Sequence, residues 1–196
     1  MKHNSLFSIV MLLLFFTVSA QEQTRKQSFL MDAPDNWRKE TLTLPLSFAP
    51  ELDYKGLEFV RFSSGWGDKN SEEFWTYKFA WHLDVDPNIT AESLNKELKI
   101  YFDGLLNLVG TGKGLTKEAI VPTKTNIIRS NSEKLFIGEV TIFDVFFTEA
   151  LKILNVKVST TYCEITKKHI AYFEFSPQPY QHKLWDIMNQ IIIPCK

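Results

Sequence analysis

Residues 74–84, Phe74-Trp75-Thr76-Tyr77-Lys78-Phe79-Ala80-Trp81-His82-Leu83-Asp84, decide the fold. Trp75, Tyr77, Phe79, Trp81 and Leu83 fall on alternate positions, with Thr76, Lys78, His82 and Asp84 between them. Successive strand residues point to opposite faces, so this period of two predicts a half-buried antiparallel strand with its aromatic face on the core. Turn formers bound it on both sides. Ser63-Ser64-Gly65-Trp66-Gly67-Asp68-Lys69-Asn70 precedes it, and Asp84 to Asn88 follow.

Beyond the second turn the period changes. Thr90 is placed to cap a helix with Glu92 near its positive end, and Leu94, Leu98, Tyr101, Leu105 and Leu108 recur at helical spacing. This predicts a helix of about five turns, stopped at Gly110. Strands are then expected over residues 121–129, 134–146, 153–165 and 169–176, with Lys167-Lys168 turning the last hairpin. A final helix is expected over residues 180–192, with Leu184, Trp185, Met188, Ile191 and Ile192 on one face and Pro194 beyond it.

Upstream of the key stretch, residues 57–62 make a short strand candidate. Residues 37–50 alternate weakly and contain Pro45 and Pro50, which lack a ladder donor, so they read as an extended surface segment rather than a central strand. The expected order is β-β-α-β-β-β-β-α: an α+β domain with an antiparallel sheet of about six strands and both helices packed together on one face.

The first twenty residues have a different character. Lys2 precedes an apolar run over residues 6–16, and Thr17-Val18-Ser19-Ala20 end it before Gln21. That pattern reads as a cleavable signal peptide over 1–20; its apolar core is shorter than the roughly 20 residues a spanning helix needs. Residues 21–36 read as a flexible leader and 37–196 as one domain, with a secreted or periplasmic location and no membrane attachment after cleavage. The mature chain would carry 21 basic and 23 acidic side chains, a net of −2. No basic patch stands out, so no nucleic-acid partner is indicated. Cys163 and Cys195, an even pair in an exported chain, are expected to form a disulfide whose loop-closure term is roughly 3–4 kcal/mol. Cys195 would then reach a strand beneath the final helix.

Part of the early sequence has a distinctive composition: Leu46-Ser47-Phe48-Ala49-Pro50, Tyr54-Lys55-Gly56-Leu57-Glu58, Arg61-Phe62 and Gly65-Trp66. This segment resembles a set of uncharacterised exported bacterial proteins, and the resemblance implies no function. The order of strands and helices is also similar to the PsbP/Mog1-type α+β sandwich, an analogy of fold alone.

No complete catalytic, metal or nucleotide motif is present, and no cofactor is indicated. Gly110-Thr111-Gly112-Lys113-Gly114 imitates a phosphate loop, but Asn107 and Gly114 stand where glycine and a hydroxyl are required, and it follows a helix. Asp84 to Asn88 imitate the start of a calcium loop, but Ile89 replaces the glycine and Asn95 the bidentate glutamate. His82, His169 and His182 have no metal-ligand spacing.

The aromatic stripe has two readings. As a binding surface, Trp75, Tyr77, Trp81 and His82 would line a cavity for an apolar or sugar ligand, with Trp66 at its mouth. As packing, the same alternation is what a core face produces, covered here by Leu94, Leu98, Tyr101 and Leu105. Three functions therefore stand from the sequence. The preferred one is an exported, non-catalytic binding or interaction domain. The others are a small-ligand carrier and a hydrolase with Trp66, Glu72, Glu73 and His82 around its site.

Overall fold

In the computed structural model, residues 31–132 and 134–195 are described. The signal peptide and most of the leader lie outside them.

Seven strands form one sheet: β1 Arg38–Leu44, β2 Gly56–Phe62, β3 Tyr77–Leu83, β4 Lys124–Arg129, β5 Leu135–Phe143, β6 Leu151–Cys163 and β7 Lys168–Ser176. Two α-helices accompany them, α1 Ala91–Gly112 and α2 Lys183–Gln190. The spatial order is β1-β2-β3-β7-β6-β5-β4, with every pair antiparallel. A three-strand meander thus runs to β3, α1 carries the chain to the far edge, and a four-strand meander returns until β7 closes on β3. The α+β class is as expected. The seventh strand is β1, drawn from the segment read as merely extended. Its Leu42 and Thr41 pair with Glu58 and Phe59 at the sheet edge, and Pro45 follows directly.

The key stretch is shorter and more deeply placed than its alternation implies. β3 begins only at Tyr77, because Trp75 adopts φ 56° and its N–H donates to the Trp66 carbonyl, which folds Phe74 and Trp75 into the preceding loop. All seven residues of β3 are buried, so the strand is covered on both faces rather than half-exposed. On the front face Tyr77, Phe79 and Trp81 meet Phe173, Phe175 and the Leu94, Leu98, Tyr101 and Phe102 face of α1. On the back face Phe59, Ala80, Ile170 and Tyr172 meet Trp185 and Met188 of α2 and the tail residues Ile191 and Ile193.

The helices therefore lie on opposite faces, not together. A central strand apolar on one side and carrying Lys78, Ala80 and His82 on the other needs a cover on each, and one 22-residue helix supplies only one. The Cys163 and Cys195 sulfurs are at bonding distance with Cα atoms 5.5 Å apart, which ties the tail to the end of β6. Met31 is also buried in the back core, where its carbonyl accepts a hydrogen bond from Arg61 Nε.

Two close contacts set the framework. At Gly104, a Cβ would stand 1.9 Å from the Phe48 carbonyl oxygen, so glycine there lets the loop after β1 lie directly on α1. At the β4 edge, the Asn95 carboxamide stands in for a neighbouring strand: it accepts from Ile127 N–H at 2.8 Å and donates to the Ile127 carbonyl at 2.9 Å. Asn95 of α1 thus satisfies backbone groups that would otherwise template pairing with another chain. Asn95→Ala is expected to lower stability by roughly 1–2 kcal/mol and to raise self-association. Urea midpoints and light scattering measure both, and an unchanged midpoint would contradict the capping role.

Candidate functional site

The aromatic stripe proves to be interior. Tyr77 and Trp81 are 4% and 0% exposed. Phe79 stacks on Tyr101 at 5.0 Å and on Phe173 at 4.5 Å, and Tyr77 stacks on Phe175 at 4.9 Å. These are the spacings of packed rings. Trp75 is buried too, in the loop, edge-on to Trp66 at 5.5 Å and to Phe146 at 5.6 Å. Trp66 is partly exposed beside Phe147, with the Arg38 guanidinium 5.2 Å from its ring. The structure brings Trp66, Trp75 and Tyr77 together as one aromatic end of the domain and leaves Trp81 and His82 toward the other.

The hydrolase set is not assembled. Glu73 turns back on its own loop, where its Oε2 accepts from the Ser64 hydroxyl and the Gly65 N–H, both at 2.7 Å. Glu72 faces α2, with its carboxylate 3.7 Å from His182 Nε2 and 3.4 Å from Lys183 Nζ. His82 lies near the opposite end of β3, five residues or about 17 Å beyond its first residue Tyr77 at strand rise. Lys113, from the phosphate-loop imitation, is engaged by the Val145 and Phe146 carbonyls at 3.1 and 2.7 Å.

Charges that sequence reading passed over are buried instead. Glu58 of β2 is 0% exposed within the front core. Its Oε2 accepts from the Trp81 indole N–H at 2.7 Å and its Oε1 from the Tyr101 hydroxyl at 3.0 Å. Burial pushes its carboxyl up to about 7, against the downward pull of both hydrogen bonds. Beside this group Tyr54 lies on the Trp81 ring at 5.1 Å and donates to Glu97 Oε1 at 2.7 Å; burial raises both of their pKa values. The readable signal was the strand Leu57-Glu58-Phe59-Val60-Arg61-Phe62, which carries one charge on each face among apolar residues.

On the back face Lys78 Nζ donates to Glu174 Oε1 at 2.7 Å and to the Met188 carbonyl at 2.8 Å. Burial lowers the Lys78 pKa while Glu174 holds it up. Glu58 lies beneath α1, and Lys78 and Glu174 lie beneath α2.

Two surface features remain. The first is the back of β4, β5 and the first part of β6, which α2 leaves open beyond Lys157, whose ammonium lies 4.9 Å from the Trp185 ring. Cross-strand register lines up Asn126, Glu139 and Asn155 in one row, Ile128, Ile137 and Lys157 in the next, and Lys124, Thr141 and Ile153 on the other side. A groove of about 250 Å³ runs here between Asn126, Ile128, Ile137, Glu139, Asn155 and Tyr180. The Tyr180 hydroxyl sits on the ladder, donating to the backbone carbonyls of Gly138 or Val156 at 2.9 Å and accepting from Gly138 N–H at 3.1 Å. The second is a depression of about 120 Å³ at the far end of β3, formed by Asp86, Pro87, Lys134, Thr160, Thr161, Tyr162, His169 and Ile170.

Among the described residues no three His, Cys, Asp or Glu side chains converge to hold a metal ion, and no helix is long and apolar enough to cross a membrane. Comparison with protein-family models, curated proteins and solved structures returns no match.

Proposed function

We propose that the protein is an exported, non-catalytic binding domain that engages a protein partner through the uncovered half of its sheet. One observation carries this reading: Ile128, Leu151 and Ile153 on that face are 58%, 59% and 55% exposed. Leu151 and Ile153 stand two positions apart on β6, an exposed apolar pair of the kind that marks interaction surfaces, and Asn126 and Glu139 supply hydrogen-bonding groups between that pair and Ile128. The face spans three strands and is open, which suits a macromolecular surface better than an engulfed ligand. Export is supported by the signal-like first twenty residues and by the disulfide-bonded cysteines, since such bonds persist in oxidising compartments. The segment resembling exported bacterial proteins is used structurally here, with Phe48 edge-on to Tyr101 and Tyr54 on Trp81. The PsbP/Mog1 analogy is one of element order alone and brings no activity with it. No observation favours a carrier cavity at the aromatic stripe, or the hydrolase.

A photo-crosslinking residue at Thr141, the cross-strand neighbour of Ile153, tests the proposal in the exporting host. The expected result is one discrete adduct, lost when Ile153→Asp is added to the same chain. The same crosslinker at exposed Lys96 on α1 is expected to give none. No adduct at Thr141, or an adduct shared with Lys96 and indifferent to Ile153→Asp, would overturn it.

A further inference from the structure

The depression at the far end of β3 is separate from the uncovered half-sheet and has its own chemistry. Four segments meet there: the loop from β3 to α1 gives Asp86 and Pro87, the β4–β5 turn gives Lys134, the end of β6 gives Thr160, Thr161 and Tyr162, and β7 gives His169. The β4–β5 turn is held in place by its backbone, with Thr160 N–H donating to the Lys134 carbonyl at 3.4 Å. Asp86 is fixed because its Oδ1 accepts the Asn88 N–H at 2.9 Å, which leaves Oδ2 3.8 Å from His169 Nδ1. Tyr162 packs its ring 4.6 Å from the His169 ring yet remains 40% exposed. An aromatic side chain left open beside a fixed carboxylate is what a ligand with one apolar face and one polar edge requires.

The lining also sorts ligand classes. A free anion would meet the Asp86 carboxylate, and a free cation would meet Lys134. An apolar ligand would strand the Thr160 hydroxyl, Asp86 and His169 without partners, at the cost that attends burial of unpaired polar groups. A neutral polyhydroxylated ring meets every condition: its hydroxyls donate to Asp86 and accept from Lys134, the Thr160 hydroxyl completes the pattern from the face that carries Tyr162, and its C–H face lies on Tyr162. The space, about 120 Å³, falls below the usual 300–1,000 Å³ of pockets that engulf a ligand, so one ring is seated with part of it in solvent. We propose that this depression binds a single neutral sugar unit, presented free or at the end of a glycan.

The test is an amide chemical-shift titration of the labelled domain with glucose, mannose, galactose and N-acetylglucosamine, each alone, beside sodium sulfate and calcium chloride. Saturable shifts clustered on Asp86, Thr161, Tyr162 and His169 are expected for at least one sugar, with a dissociation constant on the order of 1 mM. Tyr162→Ala and Asp86→Asn, both surface changes, are each expected to weaken that binding by roughly tenfold at unchanged melting temperature. The proposal is overturned if none of the four sugars saturates, if shifts fall elsewhere, or if both variants bind as the parent does. Tighter saturation of the same residues by sulfate or calcium would also overturn it, in favour of an ion site.

Discussion

Glu174→Ala is expected to cost about 3–5 kcal/mol of folding stability, because it leaves Lys78 as an uncompensated buried cation. Lys78 is 2% exposed and would retain only the Met188 carbonyl at 2.8 Å and the Tyr172 ring, whose centroid lies 4.6 Å away. Among the described residues, those paired with Lys78 and Glu174 across the sheet offer no substitute anion. Arg61 flanks Lys78 across β2, and Lys157 flanks Glu174 across β6, so both cross-strand neighbours are cationic. Burial already lowers the Lys78 pKa, and without Glu174 the depression deepens. A lysine depressed in the folded state binds fewer protons there than in the unfolded chain. Stability therefore rises with pH below the ordinary lysine value, and the deficit of the variant should narrow as pH approaches 10. Lys78→Met with Glu174→Leu removes both charges at similar volume and is expected to recover most of the loss or exceed the parent. Urea unfolding at pH 6, 8 and 10 distinguishes these cases. A loss under about 1 kcal/mol in Glu174→Ala would mean that solvent reaches Lys78.

This pair also shows where sequence reading stops. The aromatic face of β3 was legible because five large residues alternate. Its other face was not, because Lys78 and His82 there have the composition of a solvated side. Lys78 becomes a core residue only when Glu174, 96 positions away, arrives at the matching register on β7. Nothing local to either strand encodes that meeting. The placement of α2 follows from it, since Met188 supplies the second acceptor to Lys78, so the expectation of both helices on one face failed with the same missing information. The cysteine pair was legible from parity alone. β1 was not, because Arg38-Lys39-Glu40-Thr41-Leu42-Thr43-Leu44 is mostly polar, as an edge strand can be, and its partner β2 supplies the burial. The burial of the aromatic stripe was hidden for a different reason. Trp75, Tyr77 and Trp81 are the same residue types whether they line a cavity or fill a core, and only the facing residues Phe173, Phe175 and Tyr101 decide which. The depression around Tyr162 and His169 was out of reach because its four segments join only after the β6–β7 hairpin closes beside the loop from β3 to α1.

Glu58→Gln is expected to change the pH dependence of stability more than its level at low pH. With its carboxyl near 7 in the folded protein and 4.5 as its ordinary value, Glu58 binds more protons folded than unfolded between those limits. The contribution is fully present below about pH 4.5, declines as pH rises, and is lost above about 7. That interval corresponds to roughly 3 kcal/mol at 1.36 kcal/mol per pH unit. The groups facing Glu58 are the Trp81 indole from β3 and the Tyr101 hydroxyl from α1, with Glu40 of β1 and the Tyr77 phenol acting at longer range. Among the described residues no cation is hydrogen-bonded to it, so ionisation at neutral pH leaves the carboxylate in the front core with only the Trp81 and Tyr101 donors. Glutamine has the same shape and no charge. Its carbonyl oxygen accepts from Trp81, and its amide donates to the Tyr101 oxygen once that hydroxyl rotates. The variant should therefore match the parent at pH 4–5 and exceed it by up to about 3 kcal/mol at pH 8. Other titrating groups, including His82, affect both proteins alike and cancel in the difference between their melting curves. Parallel curves from pH 4 to 8 would show that Glu58 is ionised throughout and that water or relaxation in the front core supports its charge. A separation that opens across pH 4.5–7 would establish that burial in the front core keeps the Glu58 carboxyl protonated into the neutral range, against the pull of Trp81 and Tyr101.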